Sequence, residues 1–216
     1  MGRILQNGHY SRPAFDVELS QKFFEEYLET LDPSHVYFLQ SDIKKFQKQY
    51  SHCLHELLMM SDALSAGVEI FEVYRSRVKA RIGEACALLE KNEFKFDGDR
   101  TVILDRSEES WPADEERARA LWKLRVEQAL LSELMRREEI DQRAKEQGKE
   151  SPFVEAPSAI FKVKSNYDRV LKKIMDSDLE DVANYFYSAV ARSHDPHSDY
   201  YSCLLYTSDA ADEVRR

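Results

Sequence analysis

Apolar side chains recur every three or four residues along most of this chain, the spacing that places them on one face of an α-helix. The clearest stripe follows Asp16, a residue type that favours the N-cap position. It consists of Phe15, Leu19, Phe23, Tyr27 and Leu31, widened by Phe24 and Leu28. The pattern predicts an amphipathic helix over residues 16–31 whose apolar face belongs to the core of the protein.

The same spacing predicts two further helices in the first half of the chain. Ser41 is predicted to cap the first of these helices, which extends to about residue 60. The other follows a break and ends near residue 91. Between them, residues 61–67 contain Ser65 and Gly67 and are predicted to form a break. A short connection of this kind joins helices that lie antiparallel.

Residues 92–112 lack periodicity and predict an irregular crossover. We expect four large apolar side chains to hold it against the bundle: Phe94, Phe96, Leu104 and Trp111. A long helix is predicted over residues 113–147, with its apolar positions in the first half. The second part, residues 136–149, is almost entirely charged, and we expect it to be solvated, frayed or bound to a partner.

Two more helices complete the pattern after a loop at residues 151–157. The first ends near Asp176. The second starts at Ser177, which forms a capping-box pattern with Glu180, and ends near His194 because Pro196 cannot continue a helix. The sequence therefore predicts an all-α fold, an irregular bundle of about six helices with one long non-periodic crossover.

Composition limits the classes of function. The net charge of −9 argues against nucleic acid as a partner, because binding to phosphates requires a basic surface. No apolar run approaches the roughly 18–20 residues of a membrane span. The first residues lack the apolar segment of a signal peptide. The three cysteines have no metal-binding or redox spacing.

Chemistry-bearing motifs are scarce. Phosphate-binding loops, nucleophile elbows and zinc helices are not found in the sequence. His52 and His55 are three residues apart and close to Cys53, a spacing that two zinc ligands on one helix face would have. The alternative is that both histidines lie at the polar edge of an ordinary helix. Lys164 and Ser165 are adjacent and point in different directions, which indicates helix surface rather than a catalytic pair.

A second metal hypothesis concerns four side chains within six residues: His194, Asp195, His197 and Asp199. They would make the protein a metal-dependent enzyme if they coordinated zinc. The alternative is a helix C-terminus followed by a turn. We favour the structural interpretation at each of these places. The prediction is that no catalytic, cofactor-binding or metal-binding residue and no cofactor belongs to this chain.

Two blocks of sequence resemble a known family. The first contains HYSRP at residues 9–13 and LDPSHVYFLQSD at residues 31–42. The second contains NYDR at residues 166–169 and DPHSDYYS at residues 195–202. Together they resemble the N-terminal helical domain of the tail-specific proteases, also called C-terminal-processing serine peptidases. The resemblance extends over roughly residues 3–202.

The resemblance implies that this domain precedes a PDZ module, which captures the C-termini of substrates, and a catalytic domain with a serine activated by a neutral lysine. The parent protein would cleave proteins near their C-termini in the bacterial periplasm. The partners would be protein substrates and the PDZ and protease domains of the parent chain. No position here matches the catalytic serine or lysine, so we expect this chain alone to be inactive.

Residues 203–216 depart from the family and look like a translated transposon-end adapter from a sequencing library. We therefore expect residues 1–202 to form the helical domain, residues 203–216 to be a non-native tail, and the native gene to continue. The alternative hypothesis is a stand-alone helical module without protease activity, which binds a protein partner through residues 136–149.

Overall fold

The computed structural model describes residues 16–60, 62–96, 99–194, 198 and 200. These residues form seven α-helices and no β-strand, which confirms the all-α prediction. The helices are α1 (Val17–Leu31), α2 (Gln40–Tyr50), α3 (Leu54–Met60), α4 (Ala63–Lys91), α5 (Glu115–Glu146), α6 (Ala159–Asp176) and α7 (Leu179–His194). The predicted tail at residues 203–216 lies outside the described residues.

The single helix predicted over residues 41–60 is wrong, because the chain turns between α2 and α3 at residues 51–53. The Ser51 hydroxyl donates a hydrogen bond of 2.6 Å to the carbonyl oxygen of Gln47, a type of contact that bends helices. The backbone N–H of His55 then donates to Ser20 Oγ on α1 at 2.9 Å. This hydrogen bond joins the start of α3 to α1, so α3 is a separate helix and not a continuation of α2.

The break predicted at residues 61–67 is present but shorter, since α3 ends at Met60 and α4 begins at Ala63 and contains Gly67. A Cβ atom at Gly67 would lie 2.5 Å from the ring of Phe186 on α7. The Tyr27 hydroxyl also donates to the Gly67 carbonyl oxygen at 2.9 Å. This glycine is therefore needed for the close approach of two helices, and it does not end one.

Two predicted caps are displaced by one or two residues. The N-cap of α2 is Leu39 rather than Ser41, and the Leu39 N–H donates to Asp42 Oδ2 at 3.0 Å. At α7 the reciprocal hydrogen bonds join Asp178 and Asp181 instead of Ser177 and Glu180. Aspartate accepts backbone N–H groups at a helix start as well as serine does, so the sequence offered competing caps.

The crossover is long because α4 and α5 run parallel. Arg81 contacts Glu115 at 2.5 Å, and one helical turn further along both helices Glu84 contacts Arg119 at 3.0 Å. The chain must therefore return along the bundle between the end of α4 and the start of α5. Phe94 and Trp111 pack against the core as predicted.

The prediction that Phe96 and Leu104 also hold the crossover against the bundle is wrong. Phe96 is 44% exposed and Leu104 is 70% exposed. Both side chains line a surface groove against α5 rather than filling the core.

The apolar faces form two contiguous cores. The larger lies between α1, α2, α3, α4 and α7, and its largest side chains include Phe23, Tyr27, Phe38, Phe46, Phe71 and Phe186. The smaller joins α4, α5 and α6 around Leu89, Trp122, Val126, Leu130 and Val163. Within the described ranges, no helix combines the length and apolar character that a membrane crossing requires.

Candidate functional site

The connection between α1 and α2 is organised by one carboxylate. Asp32 is fully buried, and its oxygens accept the backbone N–H groups of Val36 at 2.9 Å, Tyr37 at 2.9 Å and Phe38 at 3.1 Å. A fourth donor, Trp111 Nε1 of the crossover, lies 3.0 Å from Oδ2. Burial raises the pKa of Asp32, whereas these four hydrogen bonds act to lower it. Asp32 therefore fixes the connection and joins it to a segment about 80 residues away.

His35 strengthens the same junction from the other side. Its backbone has a φ of 50°, in the left-handed region that non-glycine residues adopt infrequently. The ring stacks on Trp111 with a centroid distance of 3.8 Å, and Nε2 lies 2.7 Å from Glu29 Oε1 on α1. Nδ1 contacts the carbonyl oxygen of Glu109. We call Asp32, His35 and Trp111 the crossover junction.

A network of ion pairs fixes the start of α5 against α4 and α2. Arg81 is 1% exposed and contacts Glu84 at 3.1 Å and Glu115 at 2.5 Å. Arg77 contacts Asp42 at 2.9 Å and also pairs with Glu115. Burial acts to raise the pKa of Glu115, but the hydrogen bonds and charges of the two arginines outweigh it, so the pKa is lowered. The network sets the register of three helices.

Of the two histidines in the first metal hypothesis, only His55 lies on α3, and it has a structural role. His55 Nδ1 lies 2.6 Å from Ser20 Oγ, whereas His52 is exposed. Among the residues that the structure describes, no group of three or more His, Cys, Asp or Glu side chains is arranged to hold a metal ion. The second hypothesis, which needs the side chains of His194, Asp195, His197 and Asp199, lies outside the described residues.

Lys164 has the environment of a surface lysine. Its ammonium group pairs with Glu90 on α4, and this hydrogen bond raises the pKa of Lys164. A lysine that activates a serine must instead be neutral near pH 7. The contact therefore joins α6 to α4, and its direction of pKa change is opposite to that of a catalytic lysine.

The last helix is held firmly where the chain leaves the bundle. The ring of Phe186 meets those of Phe23 and Tyr27 edge-on at 4.7 and 5.0 Å. Beyond the helix, the backbone N–H of Tyr200 lies 3.3 Å from Ser188 Oγ, and its ring lies 5.2 Å from that of Tyr187. Tyr200 therefore lies alongside α7.

The charged part of α5 is an ordered helix. Glu133 pairs with Arg136 at 2.8 Å and Arg137 at 2.7 Å, and these contacts lower the pKa of Glu133 to about 2, with the Arg136 hydrogen bond as the largest cause. Both guanidinium groups also lie over the ring of Phe153, at 5.6 and 4.9 Å. Because it is helical to Glu146 and no residue of α5 beyond Leu130 is buried, this half is an exposed helix rather than a frayed end, and the binding of a partner to it stays a prediction.

The comparisons with known proteins agree with the sequence resemblance. A family model described as the tail specific protease N-terminal domain matches residues 1–203. A tail-specific protease of Haemophilus influenzae is 29% identical over 198 residues, which cover 92% of this chain and 26% of that protein. The chain thus spans about a quarter of the length of this curated relative. With a family match over nearly its entire length, the chain belongs to the tail-specific protease N-terminal domain family.

Proposed function

We propose that residues 1–202 form a non-catalytic helical domain that scaffolds or gates the catalytic core of a C-terminal-processing serine endopeptidase. The parent protein cleaves proteins near their C-termini and works in the bacterial periplasm. The observation that carries this proposal is that 92% of the chain aligns with only 26% of a tail-specific protease. The departure of residues 203–216 from the family sequence supports assigning them to a non-native tail.

The geometry supports a scaffolding role. The crossover junction and the ion pairs around Arg81 fix α1, α2, α4 and α5 relative to one another. The contacts of Phe186 with Phe23 and of Tyr200 with Ser188 support a fixed position for the end of the domain relative to the bundle. A PDZ module that follows would then start from a defined position. The partners of the helical domain would be this module, the protease domain and protein substrates.

The first test is proteolysis by the purified 216-residue chain. We expect no cleavage of an unstructured protein such as casein over hours at 37 °C. Cleavage that a serine-directed inhibitor stops would contradict the assignment of this domain as non-catalytic. A control digestion with a known serine protease establishes that the assay and the inhibitor work.

The second test is to read the gene. Amplifying the locus from its source with a primer in the codons of residues 184–190 should give a reading frame that continues beyond Ser202 into PDZ and Ser/Lys catalytic sequences. A frame that ends at Arg216 would overturn the proposal.

A stand-alone module that binds a protein partner through residues 136–149 is the second candidate function, and exposed apolar side chains on α5 immediately before this segment support it. Leu131 is 38%, Leu134 40% and Met135 61% exposed. If this module were the function, replacing Leu134 and Met135 with serine would abolish capture of a partner by the intact chain. Capture of the partner that these substitutions leave unchanged would rule out this surface as the binding site.

A further inference from the structure

A groove with an apolar floor lies between the parallel helices α4 and α5. Its cavity volume is about 380 Å³, within the range of pockets that hold small ligands or single side chains. Leu88 and Trp122 form the floor, and the short side chains of Ala87 and Ala120 leave the space above them open. We call this space the α4–α5 groove.

The groove is held open by the contacts around it. Trp122 is 2% exposed, and its Nε1–H donates to the carbonyl oxygen of Val36 at 2.8 Å, which fixes the indole ring. At one end of the groove, Arg119 contacts Glu84 at 3.0 Å. The methyl groups of alanine cannot reach across to fill the space.

Two lysines give the groove a local positive charge on a chain whose net charge is −9. Lys91 and Lys123 both line it, and both are exposed. Neither ammonium group forms a salt bridge within the described part of the chain. The charges of Arg119 and Glu84 cancel each other. The groove therefore combines an apolar floor with two cations that pair with no carboxylate among the described residues.

We propose that the α4–α5 groove binds an acidic amphipathic segment of a partner protein. An apolar side chain of that segment enters the groove over Leu88 and Trp122, and neighbouring carboxylates pair with Lys91 and Lys123. Complementary charge selects this partner over basic or neutral segments and speeds association at low salt. A polyphosphate chain would use the lysines but not the apolar floor. The proposal does not depend on the protease assignment.

The test uses the full 216-residue chain and a fluorescein-labelled, end-blocked helical peptide with leucine at positions i and i+4 and glutamate on either side. The comparison peptide has lysine in place of each glutamate. Fluorescence anisotropy should show saturable binding of the acidic peptide at 50 mM salt and weaker binding at 300 mM. The comparison peptide should bind at least about tenfold more weakly, because its charges repel those of the groove.

Variants of exposed residues assign the binding to the groove. The Lys91→Glu/Lys123→Glu double variant should weaken binding about tenfold or more, and Ala87→Trp should block it by filling the space. Lys79→Glu is the matched control, because Lys79 is exposed on α4 outside the groove, and it should change affinity less than about twofold. Lys91→Gln/Lys123→Gln provides a second charge variant if the first is unstable by circular dichroism.

Several results would overturn the proposal. These are no saturable binding, equal affinity for both peptides, or an affinity that Ala87→Trp leaves unchanged. The protein could instead sediment with phosphatidylglycerol vesicles, lose this binding when Lys91 and Lys123 are replaced, and fail to bind the peptide. That result would identify a membrane surface as the occupant of the groove. A concentration-dependent dimer in analytical ultracentrifugation that Ala87→Trp disrupts would identify a second copy of the chain.

Discussion

Replacing Asp32 with alanine tests whether one carboxylate organises the crossover junction. The change removes the acceptor for four donors: the backbone N–H groups of Val36, Tyr37 and Phe38, and Nε1–H of Trp111. A buried donor left without a partner costs about 1–3 kcal/mol. Relaxation of the connection and entry of water recover part of the sum, so we expect Asp32→Ala to lower the free energy of unfolding by about 3–5 kcal/mol.

Two milder variants divide this effect. In Asp32→Asn the side-chain carbonyl oxygen can take the place of Oδ2, which accepts three of the four hydrogen bonds. The NH₂ group then faces the Val36 N–H, so two donors meet and that hydrogen bond is lost. We expect Asp32→Asn to lower the free energy of unfolding by about 1–3 kcal/mol. Trp111→Phe keeps an aromatic ring against His35 and removes one donor, and we expect a loss of about 1.5–3 kcal/mol, the range for a hydrogen bond to a charged group.

The assay is urea-induced unfolding followed by far-UV circular dichroism, with the free energies combined in a double-mutant cycle for Asp32→Ala and Trp111→Phe. Because the two side chains share a hydrogen bond, we expect their effects to be non-additive by about 0.5–3 kcal/mol. If Asp32→Ala costs less than about 1 kcal/mol, or if the two losses simply add, the carboxylate does not organise the junction as argued.

Further predictions concern two glycines and one ion pair. Gly67→Ala should destabilise the protein by about 1–3 kcal/mol, since the new Cβ would lie 2.5 Å from Phe186. Gly83→Ala should stabilise it by about 0.5–1 kcal/mol, because Gly83 is exposed within a helix and its Cβ would meet nothing within 4 Å. Thermal unfolding measures both changes, and equal effects would refute the close-approach argument. Glu133→Gln should cost about 0.5–1 kcal/mol at pH 7. Because the folded pKa of Glu133 is lowered from 4.5 to about 2, the difference between wild type and variant should shrink as the pH falls from about 4.5 towards 2. A difference at pH 2 as large as the one at pH 7 would contradict the ion-pair assignment.

The helices could be predicted from the sequence because burial of an apolar face dominates their formation. The stripe that contains Phe23 and Tyr27 occurs where α1 is, and α5 occupies residues within two positions of its prediction. The errors at Ser51 and Gly67 have one cause. Whether a serine or a glycine interrupts a helix depends on what another helix places beside it, and that information is remote in the sequence.

The contacts of the crossover junction could not be predicted in the same way. Asp32-Pro33 indicates a turn, and an aspartate there accepts nearby N–H groups as Asx residues commonly do. The fourth donor, Trp111, is 79 residues away, and no periodic signal relates the two. Recognition of the family identified LDPSHVYFLQSD as a characteristic string, but only the structure shows that Asp32 and His35 in it bind the crossover.

Polar contacts also decide the direction of α5, which apolar patterning leaves open. An apolar stripe can pack against α4 in either direction, but an antiparallel α5 would separate Glu115 from Arg81 and Arg119 from Glu84. Arg81 is 1% exposed, and removing the partner of a buried charge costs about 3–5 kcal/mol. That penalty is large beside a typical net stability of about 5–15 kcal/mol. The ion pairs thus favour the parallel arrangement, and the parallel arrangement in turn requires the long crossover that Asp32 and Trp111 hold in place.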